Sequence, residues 1–228
     1  MNILRACCVQ CQQVLAIAAH GLCCRCYRNI PRYSYCGRCG SRLQENAPIC
    51  GRCLRQKPNW DQIVVASEYR KPLSDLIHRF KFQNQFWLDR TLARLLYLAI
   101  RQAKRTHGIA LPEAVFSVPL YHTRQWQRNY NQADLLARYL ATYLRLPYHA
   151  DVLWRVKNTP SQRGLSAKAR RLNMENAFTI SNKITQFSYG SVALVDDVIT
   201  TGSTLNEIAK QLRQQGIAHI QVWGLCKT

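Results

Sequence analysis

The stretch "VALVDDVITTGST", residues 192–204, constrains the fold more than any other part of the chain. The run 191–198 is apolar almost throughout and is interrupted by two adjacent acids, Asp196 and Asp197. A continuous apolar run suits a strand buried on both faces of a parallel sheet, which in turn needs helices on both sides. The surrounding sequence alternates accordingly. "QIVVASEY" (62–69), "AVFSVPL" (114–120), "DVLWRV" (151–156) and "HIQVWGLC" (219–226) read as further strands. Residues 72–82, 86–105, 131–146 and 203–216 read as helices, with Asn131 as an N-cap and Gly216 at a C-terminal stop. The expectation is an α/β domain over 60–228, built on a mostly parallel sheet with helices on both faces. Ligands of such domains bind beyond the carboxyl ends of the strands.

That rule places the two acids at a binding site. The strand ends at Asp196 and Asp197, and a turn leads into the helix that starts at 203. Free N–H groups and the positive dipole end of a helix attract anions. Thr200, Thr201, Ser203 and Thr204 add hydroxyl donors, and Gly202 lets the backbone come close to a ligand. The loop suits a phosphate monoester. Carboxylates beside a phosphate repel it unless hydroxyls or a cation intervene, so the site asks for a sugar phosphate with free hydroxyls and for Mg²⁺.

The first 56 residues follow other rules. Ten of the eleven cysteines lie before residue 54, as four Cys-x-x-Cys pairs: Cys8–Cys11, Cys23–Cys26, Cys36–Cys39 and Cys50–Cys53. Four thiolates complete one tetrahedral zinc site, so eight make two. Sequential pairing gives two small zinc ribbons over 1–56, while an interleaved pairing as in RING modules fits the same spacing. A disulfide scaffold is disfavoured, because "MNILRACCVQC" lacks the apolar stretch of a secretion signal. Cys7, Cys24 and His20 are spare ligands, and Cys226 reads as core. "RQKPNW" (55–60) is a short polar joint to the α/β domain.

Charge completes the picture. The formal net charge is +20, with 32 Lys and Arg against 12 Asp and Glu. Such an excess attracts polyanions, nucleic acid first among them. Tyr27, Tyr33 and Tyr35 are interleaved with arginines in the ribbons, a pattern that suits single-stranded DNA or, equally, a docking module with buried tyrosines. No apolar run reaches the roughly 18 residues of a membrane span, and the expected location is the cytoplasm.

The 192–204 segment resembles the signature of type I phosphoribosyltransferases, enzymes that bind phosphoribosyl pyrophosphate (PRPP). "SVPLYHTRQWQRNYNQADLLAR" (117–138) and "NTPSQRGLSAKARRLNMENAF" (158–178) are similar to two segments of the ComF family, which also carries a Cys-rich N-terminus. Asn129 stands where that family usually has Gly. The resemblance implies a type I phosphoribosyltransferase-like domain. The 5-phosphate would sit on Thr200, Thr201, Gly202, Ser203 and Thr204, with Asp196 and Asp197 on the ribose hydroxyls as catalytic candidates. The turn after strand 114–118 would face pyrophosphate, and the basic loop 157–172 would close over the site. Arg124, Arg128, Lys157, Arg163, Arg170 and Arg171 become candidate contacts to pyrophosphate or DNA. The implied role is cytoplasmic handling of incoming single-stranded DNA in natural transformation, beside a helicase or translocation channel. An active phosphoribosyltransferase with an unidentified nitrogen acceptor is the alternative, and a third reading has PRPP tuning DNA binding.

Overall fold

The computed structural model describes residues 6–121, 130–157 and 176–228. Its centre is a five-stranded, all-parallel sheet made of β1 (Gln62–Glu68), β2 (Ala114–Ser117), β3 (Tyr148–His149), β6 (Ser191–Ile199) and β7 (His219–Lys227). The order across the sheet is β1-β7-β6-β2-β3. Two short strands, β4 (Leu153–Arg155) and β5 (Phe178–Ile180), pair antiparallel in a separate hairpin. The segment "DVLWRV" is therefore a strand, but of this hairpin and not of the parallel sheet. Strand β3 has only two residues and no sequence pattern announced it.

Six α-helices lie among the described residues: α1 (Cys24–Arg28), α2 (Gly51–Arg55), α3 (Leu73–Phe82), α4 (Asp89–Thr106), α5 (Gln132–Leu144) and α6 (Ser203–Gln214). The apolar stripe of α4 does what its spacing implies: Leu92, Leu95, Leu96, Ile100 and Ala103 are all buried. Asn131 caps α5 by accepting from the Ala133 N–H at 3.1 Å. Gly216, at φ +89°, follows the end of α6.

Alternate residues of each strand feed two separate cores. Val64, Val115, Ala193, Val195, Trp223 and Leu225 pack with α3, α4 and α5 on one face. Ile63, Phe116, Val192, Leu194, Ile220 and Val222 pack with α6 and the β4–β5 hairpin on the other. The helices thus cover both faces, as the apolar run of β6 requires.

The Cys-rich segment docks on the β1 edge of the sheet. Cys8, Leu22, Cys26 and Ile30 belong to the α3–α4 core, whereas Tyr35 and Trp60 belong to the α6 core. The Gly37 carbonyl accepts from the Ile63 N–H at 2.8 Å, and the Pro31 carbonyl accepts from the Ser67 hydroxyl at 2.7 Å. An edge strand exposes unpaired backbone groups, and these contacts cover part of that edge. No helix among the described residues is long and apolar enough to cross a membrane.

Candidate functional site

Strand β6 carries Asp196 and Asp197 to the carboxyl end of the sheet, beyond the last pairing with β2 at Val195. The two acids are neighbours on one strand, and their carboxyls stay close enough for the charge of one to act on the other. Asp197 is buried and meets an unforeseen partner: Lys81 Nζ, from the last turn of α3, lies 2.8 Å from Asp197 Oδ1. The Lys81 and Asp197 side chains are only 16% and 10% exposed. Burial, and then the neighbouring Asp197 charge, push the Asp196 carboxyl up to about 7, although Lys81 pulls the other way. Asp196 Oδ1 accepts from the Asp197 N–H at 2.8 Å.

Residues 200–202 form the turn. Gly202 has φ +75° and its carbonyl accepts the Asn206 N–H at 2.8 Å, which opens α6. Thr200 and Thr201 are exposed, while Ser203 and Thr204 are half-buried. Thr201 Oγ1 lies 3.1 Å from Ser203 Oγ and also accepts the Ser203 N–H at 3.4 Å. Glycine is needed for two reasons. Its φ lies in the left-handed region, and a Cβ there would stand 2.7 Å from the Trp60 ring. Hydroxyls and the start of a helix therefore border a polar cleft of about 480 Å³, shared with Lys57, Lys227 and the second Cys module.

Each Cys module reaches this region. Arg79, two residues before Lys81, donates to the Val9 carbonyl at 2.9 Å, beside Cys8. On the other side Trp60 Nε1 donates to the Arg38 carbonyl at 2.7 Å, between Cys36 and Cys39. Lys227 Nζ donates to the Thr200 carbonyl at 3.3 Å, and its stem passes under Gly40. Asn59 is held to Asn206 of α6 by two hydrogen bonds.

The cysteines pair sequentially. Cys8, Cys11, Cys23 and Cys26 gather in one cluster and Cys36, Cys39, Cys50 and Cys53 in another, all sulfurs of a set within 4.8 Å of one another. The interleaved arrangement is excluded by this geometry. Cys11 and Cys23 sulfurs are 3.7 Å apart, as are those of Cys39 and Cys50. A tetrahedron with Zn–S bonds of about 2.3 Å has edges of roughly 3.8 Å, so four thiolates so placed fit zinc. Burial opposes ionisation of Cys8, but N–H groups of Cys23, Cys11 and Gln10 outweigh it and bring its thiol down to about 6. Both clusters can hold a metal ion. Cys7, Cys24 and His20 stand outside them, and Cys226 is buried in β7. Of the ribbon tyrosines, Tyr35 is core and stacks on His107 at 4.4 Å between centroids, whereas Tyr27 and Tyr33 are half-buried.

Among the candidate basic contacts, Lys157 is exposed just after β4. Arg124, Arg128, Arg163, Arg170 and Arg171 lie outside the described residues, as do Asn129, most of the 157–172 loop and most of the turn after β2. Lys81 was missed because it sits 116 positions before its partner and nothing in "HRFKF" marks it.

No protein-family model matches the chain. Several relatives match it over nearly its whole length. It is 58% identical over 227 residues to Competence protein F of Haemophilus influenzae, covering 100% of this chain and 99% of that one. It is 40% identical over 222 residues to DNA utilization protein YhgH of Salmonella typhimurium, covering 97% and 96%. Competence protein ComFC of Streptococcus pneumoniae is 26% identical over 162 residues, 70% of this chain and 65% of that protein. With two Cys₄ clusters, a parallel α/β sheet and this span of similarity, the chain belongs to the ComF family.

Proposed function

We propose that this chain serves DNA uptake in natural transformation, acting in the cytoplasm on incoming single-stranded DNA, and that its α/β body binds PRPP with Mg²⁺. The observation that carries this reading is the β6–α6 junction in a chain related over its whole length to a competence protein. There an acid pair, an exposed hydroxyl loop and a helix start converge within nine residues, Asp196 to Thr204. In this reading the hydroxyls and N–H groups of Thr200–Thr204 hold the 5-phosphate, and Asp196 and Asp197 accept hydrogen bonds from the ribose hydroxyls. Bound Mg²⁺ would neutralise the diphosphate. The two Cys₄ clusters hold structural zinc. The net charge of +20 draws the strand.

The test is a calorimetric titration of PRPP with Mg²⁺ into zinc-loaded protein, beside the Asp196→Asn, Asp197→Asn double variant and Thr201→Val. Saturable binding that both variants weaken is expected. No binding by well-folded wild type would sink the PRPP reading and leave the fold as a scaffold. A salt series with an oligonucleotide tests the strand reading, for which log affinity should fall linearly with log salt.

One observation favours a second reading, an active phosphoribosyltransferase with a nitrogen acceptor. Adjacent carboxyls in unlike environments, Asp197 paired to Lys81 and Asp196 pushed up to about 7, are a common arrangement in acid–base sites. Pyrophosphate release in an acceptor screen, absent from the double variant, would establish it.

A further inference from the structure

The second Cys module does more than cover the edge of the sheet. Between it and the ends of β1 and β7 lies a second cleft of about 560 Å³, bordered by Tyr33, Arg42, Tyr69 and Arg70. It shares Arg52, Lys227 and Thr228 with the 480 Å³ cleft at Thr200–Ser203. The two therefore adjoin along the seam, with Arg52 and Lys227 between them, and the latter ends at the hydroxyl loop. Each half alone has the volume of an ordinary small-molecule site, so the whole suits something longer.

Its lining has a definite chemistry. Arg42, Arg52, Lys57, Arg70 and Lys227 are spread along it. Of the two acidic side chains there, Glu68 pairs with Arg42 at 2.5 Å and Arg70 at 3.3 Å, while Glu207, which accepts from Gln211 at 3.1 Å, keeps its charge but is outnumbered by the five cations. The arginines of the Glu68 cluster remain 65% and 72% exposed, so they keep donors for another anion. Tyr69 is 39% exposed, and the Arg42 guanidinium lies 6.0 Å above the Tyr33 ring. Spaced cations that track a backbone, with aromatic faces between them, are how proteins hold single strands without reading sequence. A duplex keeps its bases stacked inside and offers no face to Tyr69.

We infer that this seam groove, from Tyr69 and Arg70 through Arg52 and Lys227 to Lys57, is the binding path for a single-stranded nucleic acid. The inference rests on the strand-handling reading above and names its surface. The Thr200–Ser203 loop borders one end, so a strand filling the groove abuts the loop assigned to the sugar phosphate.

The experiment is fluorescence anisotropy of a labelled 20-nucleotide oligo-dT with the zinc-loaded full chain across a salt series. Two variants lie outside the Cys modules, so zinc content checks their folding: Lys57→Gln with Arg70→Gln, and Tyr69→Leu. A charge-matched control, Lys104→Gln with Arg105→Gln, sits on the exposed face of α4, remote from the groove residues in sequence. Each groove variant should weaken binding about tenfold, with the control changing it less than about twofold. The charge variant should also flatten the log–log salt slope by about 1.4, for two single-strand phosphates lost. Equal weakening by control and groove variants would overturn the groove while leaving strand binding intact. Equal competition by polyglutamate of matched charge would overturn the nucleic-acid assignment in favour of an acidic peptide. Wild type that binds no oligo-dT at low salt would overturn the strand reading itself, and the groove with it.

Discussion

Lys81 Nζ lies 2.8 Å from Asp197 Oδ1 and joins the last turn of α3 to the carboxyl end of β6. This one contact holds a cation against the acid pair and links that pair to the first Cys module through Arg79 and Val9.

Removing the cation strands a buried charge. Lys81→Met should cost about 3–5 kcal/mol, the usual penalty for breaking a buried ion pair from one side. Adding Asp197→Asn should recover much of that loss, since neither charge is then left alone. Urea unfolding of the three proteins measures both effects, and a double variant no better than Lys81→Met would refute the pairing.

The acid pair also sets a pH dependence. The Asp196 carboxyl, ordinarily near 3.8, is pushed up to about 7 by burial and by the Asp197 charge. Between those values the folded chain keeps a proton that the unfolded chain has lost. The contribution of Asp196 to stability is thus full below about pH 4 and is lost as pH rises to about 7. Asp196→Asn should remove that slope. Urea midpoints of wild type and variant should diverge between pH 5 and pH 7.5, in favour of the variant at the higher pH.

At the loop, Gly202 and Trp60 constrain each other. Gly202→Ala meets the left-handed backbone penalty of about 1–2 kcal/mol and a Cβ 2.7 Å from the indole. Gly202→Ala with Trp60→Leu keeps the first cost and relieves the second. Trp60→Ala alone empties a position that is only 5% exposed and should cost about 3–5 kcal/mol. Chemical denaturation ranks the three, and a Gly202→Ala protein as stable as wild type would show that the loop shifts freely.

Metal content gives a count and a coupling. Mass spectrometry of the metal should find two zinc ions per chain, and Cys36→Ser should retain one. Because Trp60 and Lys227 tie the second module to the Thr200–Gly202 turn, zinc loss there should also weaken the proposed PRPP binding. About 5–150-fold is the span of typical couplings between sites. Unchanged PRPP affinity in the one-zinc protein would show that the turn stands without its brace.

How much of this was legible in the sequence depends on the reach of each interaction. The β6–α6 junction was readable because its signals are adjacent: an apolar run, two acids, a glycine and the start of a helix. The Cys clusters were readable as sets of four, but spacing left their pairing open, and only the fold closes it. Asp197's partner was hidden, because an ion pair between distant elements leaves no periodic trace. Trp60 was hidden differently. It ends a stretch that reads as a polar joint, and its burial arises because α6 and the second Cys module meet there. The two-residue β3 and the three-residue β5 carry too few residues to show a period, and although 151–156 reads as a strand, its partner is set by neighbours.

The edge strand that the Cys modules cover carries a consequence for synthesis. Strand β1 pairs with β7, far along the chain, with Gln62 opposite Gln221. The cysteines of each module lie within a few tens of residues of one another, and such local closure is fast, whereas long-range parallel pairing is slow. As the chain leaves the ribosome, both Cys clusters should therefore gather well before β7 completes the ledge on which they rest, leaving the nascent chain with its clasp made and its hinge missing.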